Sequence, residues 1–143
     1  FNEQVKNEIQ NIEKLSKVFI ERTRYETRLQ IIHFLYGVAN SDGKIANQEL
    51  DKINQIAIAL GINLLDVESI KAMFIKSSDN AYKILEIESD ASDEQVKTAY
   101  RNMAKKYHPD RIYSNDPAMI KGAKEKFQEV QKAYEIIQKE RGI

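Results

Sequence analysis

The residues with the clearest capacity for chemistry are His108, Pro109 and Asp110, which follow a basic, helix-forming segment. Pro109 fixes its own φ angle and disfavours helical geometry at His108, so the preceding helix should end near Tyr107. The imidazole and the carboxylate are therefore expected at a defined corner beyond the helix end. Asp110 is an acceptor suited to pairing with an arginine or a polar network of a partner. No arrangement of a nucleophile and a base is visible in the sequence.

Basic side chains precede this corner at helical spacing. Lys97, Arg101 and Lys105 are spaced i, i+4 and i+8, so they form one stripe along a helix. Lys106 and Arg111 extend the positive charge towards the corner. Such a stripe is suited to steering a partner with an acidic surface and to setting its orientation. An ordinary solvated helix face is the alternative interpretation of the stripe taken by itself.

The helix that carries the stripe has a clear start signal. Ser92 and Gln95 form a capping-box pair, and the acidic Asp93 and Glu94 suit the positive end of the helix dipole. Apolar residues recur at helical spacing, which predicts a buried stripe of Val96, Ala99, Met103 and Tyr107. A short helix from about Ala81 to Leu85 is predicted to precede it.

A second long helix is predicted from Asp116-Pro117 to about Lys139. An Asp N-cap followed by proline at the first helical position is a typical helix start. The buried positions of this helix are predicted to be Ala123, Phe127, Val130, Tyr134 and Ile137. Two long helices with facing apolar stripes and a connecting loop form an antiparallel hairpin.

Four more helices are predicted nearer the N-terminus, at about 2–20, 24–39, 48–60 and 64–74, with Asn63 capping the last of them. The apolar positions at helical spacing are Val5, Ile9, Ile12, Leu15 and Phe19 in the first, and Leu29, Ile32, Leu35 and Tyr36 in the second. In the third they are Leu50, Ile53, Ile56, Ala57 and Leu60, and in the fourth Leu64, Val67, Ile70, Met73 and Phe74. Gly61 is predicted to form a left-handed C-cap. His33 is predicted to be half-buried and hydrogen-bonded.

A polar break at Ser77-Ser78-Asp79-Asn80 interrupts the apolar pattern. The sequence therefore predicts two helical domains, residues 1–77 and 78–143. Helix-forming residues dominate and the chain contains only two prolines and five glycines, which favours an all-α fold.

Composition also limits the classes of function. Lys and Arg total 22 and Asp and Glu total 22, and the resulting net charge of zero argues against a dedicated nucleic-acid binder. The absence of cysteine excludes disulfides, thiolate metal sites and cysteine nucleophiles. Two histidines in separate domains do not make a zinc site, so no metal or other cofactor is predicted.

One motif offers a competing metal hypothesis. Asp42-Gly43-Lys44-Ile45 with Glu49 resembles the second half of an EF-hand loop, but this register puts Val38 where an oxygen ligand is required. Only Asn40, Asp42 and Glu49 then remain as side-chain ligands, so a tight turn at Asp42-Gly43 is the favoured interpretation. A metal-dependent enzyme anchored on Asp42 and Glu49 would require stoichiometric bound metal.

The second half of the chain resembles a J-domain of the DnaJ family. The matching pieces are Ala81-Tyr82-Lys83-Ile84-Leu85, Val96-Lys97-Thr98-Ala99-Tyr100-Arg101, Lys105-Lys106-Tyr107-His108-Pro109-Asp110-Arg111 and Gln131-Lys132-Ala133-Tyr134. The resemblance implies a non-enzymatic co-chaperone that binds a DnaK-type chaperone and stimulates its ATP hydrolysis. The residues it implies for chaperone binding are His108, Pro109, Asp110, Tyr100, Lys97, Arg101, Asn102, Lys105, Lys106 and Arg111. Asn102 stands where the family commonly has a basic residue.

The N-terminal half resembles the helical TerB-like domain, through Tyr36-Gly37-Val38-Ala39-Asn40-Ser41-Asp42-Gly43-Lys44-Ile45 followed by Glu49. A TerB-like domain followed by a J-domain is the arrangement of the DjlA family. This resemblance implies an interaction or homodimerisation platform in a cytoplasmic protein. In that family a membrane segment precedes the TerB-like domain, so a tether to the cytoplasmic face of the inner membrane would lie outside these residues. The alternative is a non-stimulating structural adaptor in stress or envelope biology.

Overall fold

The computed structural model describes residues 2–77, 79–111 and 115–143, and the fold in these ranges is all-α, as predicted. The helices are α1 Asn2–Arg22, α2 Tyr25–Ala39, α3 Asn47–Ala59, α4 Leu64–Phe74, α5 Asn80–Ile84, α6 Asp93–Lys106 and α7 Pro117–Arg141. A 3₁₀ turn covers Pro109–Arg111. Across the described part of the chain, no helix combines the length and the apolar character needed to cross a membrane.

Side-chain caps fix the starts of three helices. The hydroxyl of Ser92 accepts a hydrogen bond from the Gln95 N–H at 3.2 Å, and the Gln95 side chain accepts one from the Ser92 N–H at 2.8 Å. Asn63 and Asp116 each accept a bond at 2.9 Å from the N–H group two residues further on. These bonds satisfy N–H groups that a helix start leaves without a partner. The capping predictions from the sequence are confirmed.

Two turns depend on glycines in the left-handed region. Gly43 has a φ of 82°, and its N–H donates to the carbonyl of Asn40 at 2.9 Å. The predicted tight turn at Asp42-Gly43 is therefore confirmed. Gly61 has a φ of 68° just after α3, also as predicted. A side chain at either position would be strained in this conformation.

A continuous hydrophobic core joins the two halves of the chain. Its fully buried members include Leu29, Ile32, Tyr36 and Ile70 from the N-terminal half and Leu85, Val96, Val130 and Ile137 from the C-terminal half. The hydroxyl of Ser69 in α4 also donates to the carbonyl of Ile84 at the end of α5, at 2.7 Å. Packing across this boundary therefore sets how the two halves lie relative to each other.

Helices α6 and α7 form the predicted antiparallel hairpin. The predicted stripe on α6 is buried, as are Ala123, Val130 and Ile137 on α7, while Phe127 and Tyr134 are half-buried. The rings of Tyr100 and Tyr134 stack across the hairpin, with centroids 4.1 Å apart and an interplanar angle of 3°. This stack joins the middle of α6 to the C-terminal half of α7.

The apolar residues at helical spacing in α1 are not all buried. Val5 is 41% exposed and Leu15 is 69% exposed, whereas Phe19 is half-buried. The side chains of Ile9 and Ile12 lie outside the described residues. An apolar face at helical spacing reveals amphipathicity but not whether another part of the chain covers it.

Two other helices also have an exposed residue at one of their apolar positions. Ile56 in α3 is 41% exposed and Leu64 at the start of α4 is 68% exposed. Each belongs to a helix that also contributes to the core, since Ala57 in α3 and Ile70 in α4 are both fully buried. One face of each helix packs into the core, and apolar residues beside that face remain exposed to water.

His33 is more deeply buried than predicted, at 3% exposed, with its ring centroid 5.0 Å from that of Phe74. The cause is Gly122, which lets α7 approach α2 closely. A Cβ atom at Gly122 would overlap the Nε2 atom of the fully buried Gln30 and would lie 3.5 Å from Nδ1 of His33. The sequence around His33 carries no sign of this approach from a distant helix.

We predict opposite effects of alanine at two helical glycines. Gly122→Ala should lower the free energy of unfolding by about 1 kcal/mol, because overpacking against Gln30 outweighs the gain in helix propensity. Gly37→Ala should raise it by about 0.5–1 kcal/mol, because a Cβ there meets only the Phe74 ring at 3.8 Å. Urea unfolding of both variants measures the difference. Equal effects at the two positions would contradict the close packing of α2 on α7.

Candidate functional site

His108, Pro109 and Asp110 form an exposed corner between α6 and α7. The Tyr107 N–H donates to the carbonyl of Met103 at 2.9 Å as the helix ends, and the 3₁₀ turn follows at once. The Asp110 side chain is 91% exposed and that of His108 is 48% exposed. The corner therefore reaches solvent at the tip of the hairpin, where the sequence predicted it.

Short contacts orient the imidazole of His108. The Asp110 N–H donates to Nδ1 of His108 at 3.2 Å, so this nitrogen acts as an acceptor and a neutral ring carries its proton on Nε2. The ring packs edge-on against Phe127, with centroids 5.4 Å apart. The corner thus presents an N–H donor from His108 and carboxylate acceptors from Asp110.

The basic stripe lies on the face of α6 that is opposite the core. Arg101 and Lys105 are exposed and Lys97 is half-buried, and the neighbouring Asn102 is exposed. Their helical spacing keeps the three cations on one side of α6. The ring of Tyr100 lies in the stack with Tyr134 described above. The stripe therefore runs up to the corner on the same rigid helix.

The remaining two predicted cations turn towards the N-terminal half. Lys106 forms an ion pair with Asp66 of α4, and it lies 3.5 Å from the carboxyl group of Glu86. Arg111 pairs with Glu26 of α2 at 3.3 Å. Both cations flank the corner, and both have acidic partners within the same chain. Their partners are 40 and 85 residues away in sequence, a distance at which no local pattern signals the pairing.

Asp66 lies at the centre of a polar cluster beneath the corner. Its side chain is 2% exposed, and it accepts hydrogen bonds from the Lys106 ammonium and, at 2.5 Å, from the Tyr25 hydroxyl. Burial opposes ionisation of Asp66, but hydrogen bonds from Glu86, Lys106 and Tyr25 outweigh it and hold its pKa below the usual range. Asp66 is therefore the ionised partner of Lys106.

Glu86 is the second carboxyl of this cluster and behaves in the opposite way. Burial, followed by its hydrogen bond to ionised Asp66, raises the pKa of Glu86 to about 8. Near neutral pH, Glu86 therefore carries a proton that it shares with Asp66. Its backbone has a φ of 60°, a left-handed conformation that residues other than glycine adopt uncommonly.

Lys126 of α7 is a further buried ionisable residue near this cluster. It is 2% exposed, and its ammonium lies 4.8 Å from the centre of the Tyr107 ring. Burial lowers the pKa of Lys126 to about 7, although Asp66 and Glu26 act in the opposite direction. Burial and the nearby Lys126 also lower the pKa of His33 to about 3, so His33 is a neutral core residue.

Sequence reasoning missed the acidic members of this cluster. Asp66 and Glu86 stand beside apolar residues in sequence, and only the folded chain brings them to Lys106.

The EF-hand-like motif at Asp42-Gly43 has a local structural role, because the Asp42 carboxylate accepts a hydrogen bond from the Lys44 N–H at 3.1 Å. Among residues 2–77, 79–111 and 115–143, no group of three or more His, Cys, Asp or Glu side chains could hold a metal ion.

Comparisons with known proteins describe both halves. A family model described as "DnaJ domain" matches residues 80–142, and one described as "Tellurite resistance protein TerB" matches residues 1–72. A "Co-chaperone protein DjlA" of Vibrio vulnificus (strain YJ016) is 46% identical over 66 residues, which cover 45% of this chain and 23% of that protein. The corresponding protein of Vibrio cholerae is 44% identical over the same shares.

A "Chaperone protein DnaJ" of Lactobacillus acidophilus is 43% identical over 61 residues, 43% of this chain and 14% of that protein. The alignments thus span about a quarter, 23%, of the DjlA proteins and less of the DnaJ protein. No solved structure matches the chain.

We predict that the adjacent lysines 105 and 106 differ in their effect on stability. Lys106→Met should lower the free energy of unfolding by about 2–3 kcal/mol, because it leaves the buried Asp66 without its cation. Lys105→Met should change it by less than about 0.5 kcal/mol, because Lys105 is exposed. Urea unfolding of both variants provides the measurement, and equal losses would count against the ion pair.

The protonated state of Glu86 gives a prediction about pH. Its pKa is about 8 in the folded chain and about 4.3–4.5 when unfolded, so the folded state binds more protons between these values. The contribution of Glu86 to stability is therefore complete below the lower value and is lost as the pH rises through about 8. Glu86→Gln cannot ionise, so its stability relative to the unchanged chain should increase from pH 5 to pH 8.

Thermal or urea unfolding at both pH values measures this change. Glu88→Gln is the matched control, because Glu88 is exposed two residues away. A stability difference that stays constant from pH 5 to pH 8 for Glu86→Gln would show that the Glu86 carboxyl is ionised throughout.

Proposed function

We propose that this chain, which belongs to the TerB family through residues 1–72, is a J-domain co-chaperone. It carries a DnaJ domain at residues 80–142, and a TerB domain followed by a DnaJ domain is the DjlA-type arrangement. In this role it binds a DnaK-type chaperone and stimulates that chaperone's hydrolysis of ATP. The relatives named DjlA and DnaJ support the assignment through the segments they share with this chain. The chemistry takes place in the partner, and no residue of this chain acts on ATP.

The observation that carries the proposal is the exposed corner at the end of a helix with a basic outer face. Asp110 and His108 reach solvent, and Arg101 and Lys105 are exposed on the adjoining helix. A positive surface of this kind speeds and orients encounter with an acidic partner surface. The His108 N–H and the Asp110 carboxylate then supply directional hydrogen bonds at one end of the contact.

Stimulation follows if the chaperone conformation that hydrolyses ATP binds this surface more tightly than its other conformation does. A ligand shifts a conformational equilibrium only through such a difference in affinity. The corner suits this role because Pro109 restricts its backbone and the imidazole is braced against Phe127. A rigid corner discriminates between two partner geometries better than a flexible one, which adapts to both.

The predicted docking residues divide into two groups by their intramolecular contacts. We assign Lys97, Arg101 and Lys105 to direct docking, since they lie on the outer face of α6. Lys106 is held by buried Asp66 and acts mainly in stability. The side chain of Arg111 is 50% exposed, and the side chain of its partner Glu26 is 27% exposed. Such pairs contribute about 0–1 kcal/mol, so a docked partner can displace Glu26 from Arg111.

The N-terminal half serves, in this proposal, as an interaction or homodimerisation platform in the cytoplasm. Exposed apolar side chains on α1 support a contact role, since Val5, Leu15 and Val18 are 41%, 69% and 43% exposed. Tethering to the inner membrane through a segment outside these residues stays a prediction.

The test is His108→Gln in the full chain. Glutamine is polar and of similar size, but it cannot reproduce the ring contact with Phe127 or the bond from the Asp110 N–H. We expect stimulation of single-turnover ATP hydrolysis by a purified DnaK chaperone to fall to the chaperone's own rate. The circular dichroism spectrum and unfolding midpoint should remain those of the unchanged chain, because the corner is exposed.

Lys132→Gln is the matched control, since Lys132 is exposed on α7 away from the corner, and it should stimulate normally. Full stimulation by His108→Gln would refute the proposal. Capture of the chaperone by the unchanged chain without any stimulation would support a passive adaptor instead.

A further inference from the structure

A groove of about 1030 Å³ runs along α6 on the side that faces the N-terminal half. We call it the interdomain groove. One wall consists of α6 residues such as Thr98 and Asn102 together with the connection from α5. The other wall contains Tyr25, Glu26 and Leu65, which a J-domain hairpin alone does not possess. The groove exists only because the two halves pack together.

Charge is divided between the two ends of the interdomain groove. Glu88, Asp90 and Glu94 line it at the N-terminal end of α6, whereas Lys105, Lys106 and Arg111 line it at the C-terminal end. Glu26 and Glu86 also line the C-terminal end, where they lie against Arg111 and Lys106. The exposed Lys105 contributes positive charge there that these two contacts do not offset. From Glu94 to Lys105 the helix rises about 16 Å, at roughly 1.5 Å per residue. An occupant that fits this groove is therefore acidic beside the corner and basic at the far end.

The groove also has an apolar lining. Leu65 is 58% exposed, and Ile87 and Ala91 are half-buried. Leu65 is fixed in place because its N–H is held by the cap at Asn63. A leucine held at the rim of a groove gains free energy when an apolar side chain of a partner covers it.

The groove is continuous with the surface assigned above to docking. Asn102, Lys105 and Arg111 belong to both. A chaperone bound to the basic stripe and the corner therefore already lies over the basic end of the groove. A segment of that chaperone that continues along α6 would contact Leu65 and, at the far end, the three acidic side chains.

We propose that the interdomain groove holds an extended segment of the docked DnaK-type chaperone, which is acidic at the corner, apolar beside Leu65 and basic beside Glu88 and Asp90. This inference rests on the proposed function. It assigns to the N-terminal half a direct part in chaperone affinity, through Leu65. The corner determines the maximal stimulation of ATP hydrolysis, and the groove determines the concentration of this chain at which stimulation is half-maximal.

The experiment compares Leu65→Ser with Leu64→Ser in a titration of stimulated ATP hydrolysis by a purified DnaK chaperone, without any client protein. Leu65→Ser should raise the concentration for half-maximal stimulation about tenfold, the loss expected for one buried leucine contact, and leave the maximal rate unchanged. Leu64→Ser is the control, because Leu64 is the neighbouring leucine, is 68% exposed and does not line the groove.

A second variant tests the charge pattern. The double change Glu88→Gln and Asp90→Asn removes two exposed carboxylates from the far end of the groove. It should raise the half-maximal concentration about threefold, the size expected for exposed charge pairs, and the difference should disappear at high salt. Unfolding midpoints should match those of the unchanged chain, since these side chains are exposed.

The outcomes separate this inference from the proposed function. Normal titration by Leu65→Ser, together with loss of stimulation in His108→Gln, overturns the groove alone. Equal effects of Leu64→Ser and Leu65→Ser overturn it as well. If Leu65→Ser affects only binding of an unfolded client peptide, or only self-association in sedimentation, the occupant is a client or a second copy and the inference is wrong. Full stimulation by His108→Gln overturns both proposals.

Discussion

The ion pair between Lys106 and Asp66 is the interaction on which the geometry of the site depends. It joins the last residue of α6 to the first turn of α4. A carboxylate that is 2% exposed is destabilising unless its charge and lone pairs are satisfied. The Lys106 ammonium, the Tyr25 hydroxyl and the proton on Glu86 together meet that requirement. The end of α6, and with it the corner, is therefore fixed relative to the N-terminal half.

Glu86 illustrates how this requirement outweighs local backbone preference. Its φ of 60° would suit glycine, and a left-handed residue with a side chain costs about 1 kcal/mol. Glycine would relieve that strain but would remove the carboxyl that donates its proton to Asp66. Loss of a hydrogen bond to a buried charged group costs about 1.5–3 kcal/mol, which exceeds the strain. On these general magnitudes, the contact of Glu86 with Asp66 outweighs the strain of its left-handed backbone.

Local signals in the sequence were sufficient to predict the helices, their caps and the position of the corner. The capping box of Ser92 and Gln95 and the helix stop at Pro109 each depend on residues only a few positions apart, and both are present in the folded chain. The exposure of Leu15 and the burial of His33 depend instead on which helix lies opposite, and neighbouring residues do not encode that. The partners of Lys106 and Arg111 lie 40 and 85 residues away, so no local pattern in the sequence indicates their contacts with Asp66 and Glu26.

The packing beneath the corner also bears on how docking energy is used. Tyr107, the residue immediately before the corner, is 2% exposed, and its ring lies beneath the buried Lys126 ammonium. Phe127, the next residue of α7, braces the imidazole of His108. The corner is therefore held by α4, α6 and α7 together. In the proposed docking, little of the binding free energy is lost in ordering this chain, so more of it is available to shift the conformational equilibrium of a DnaK-type chaperone.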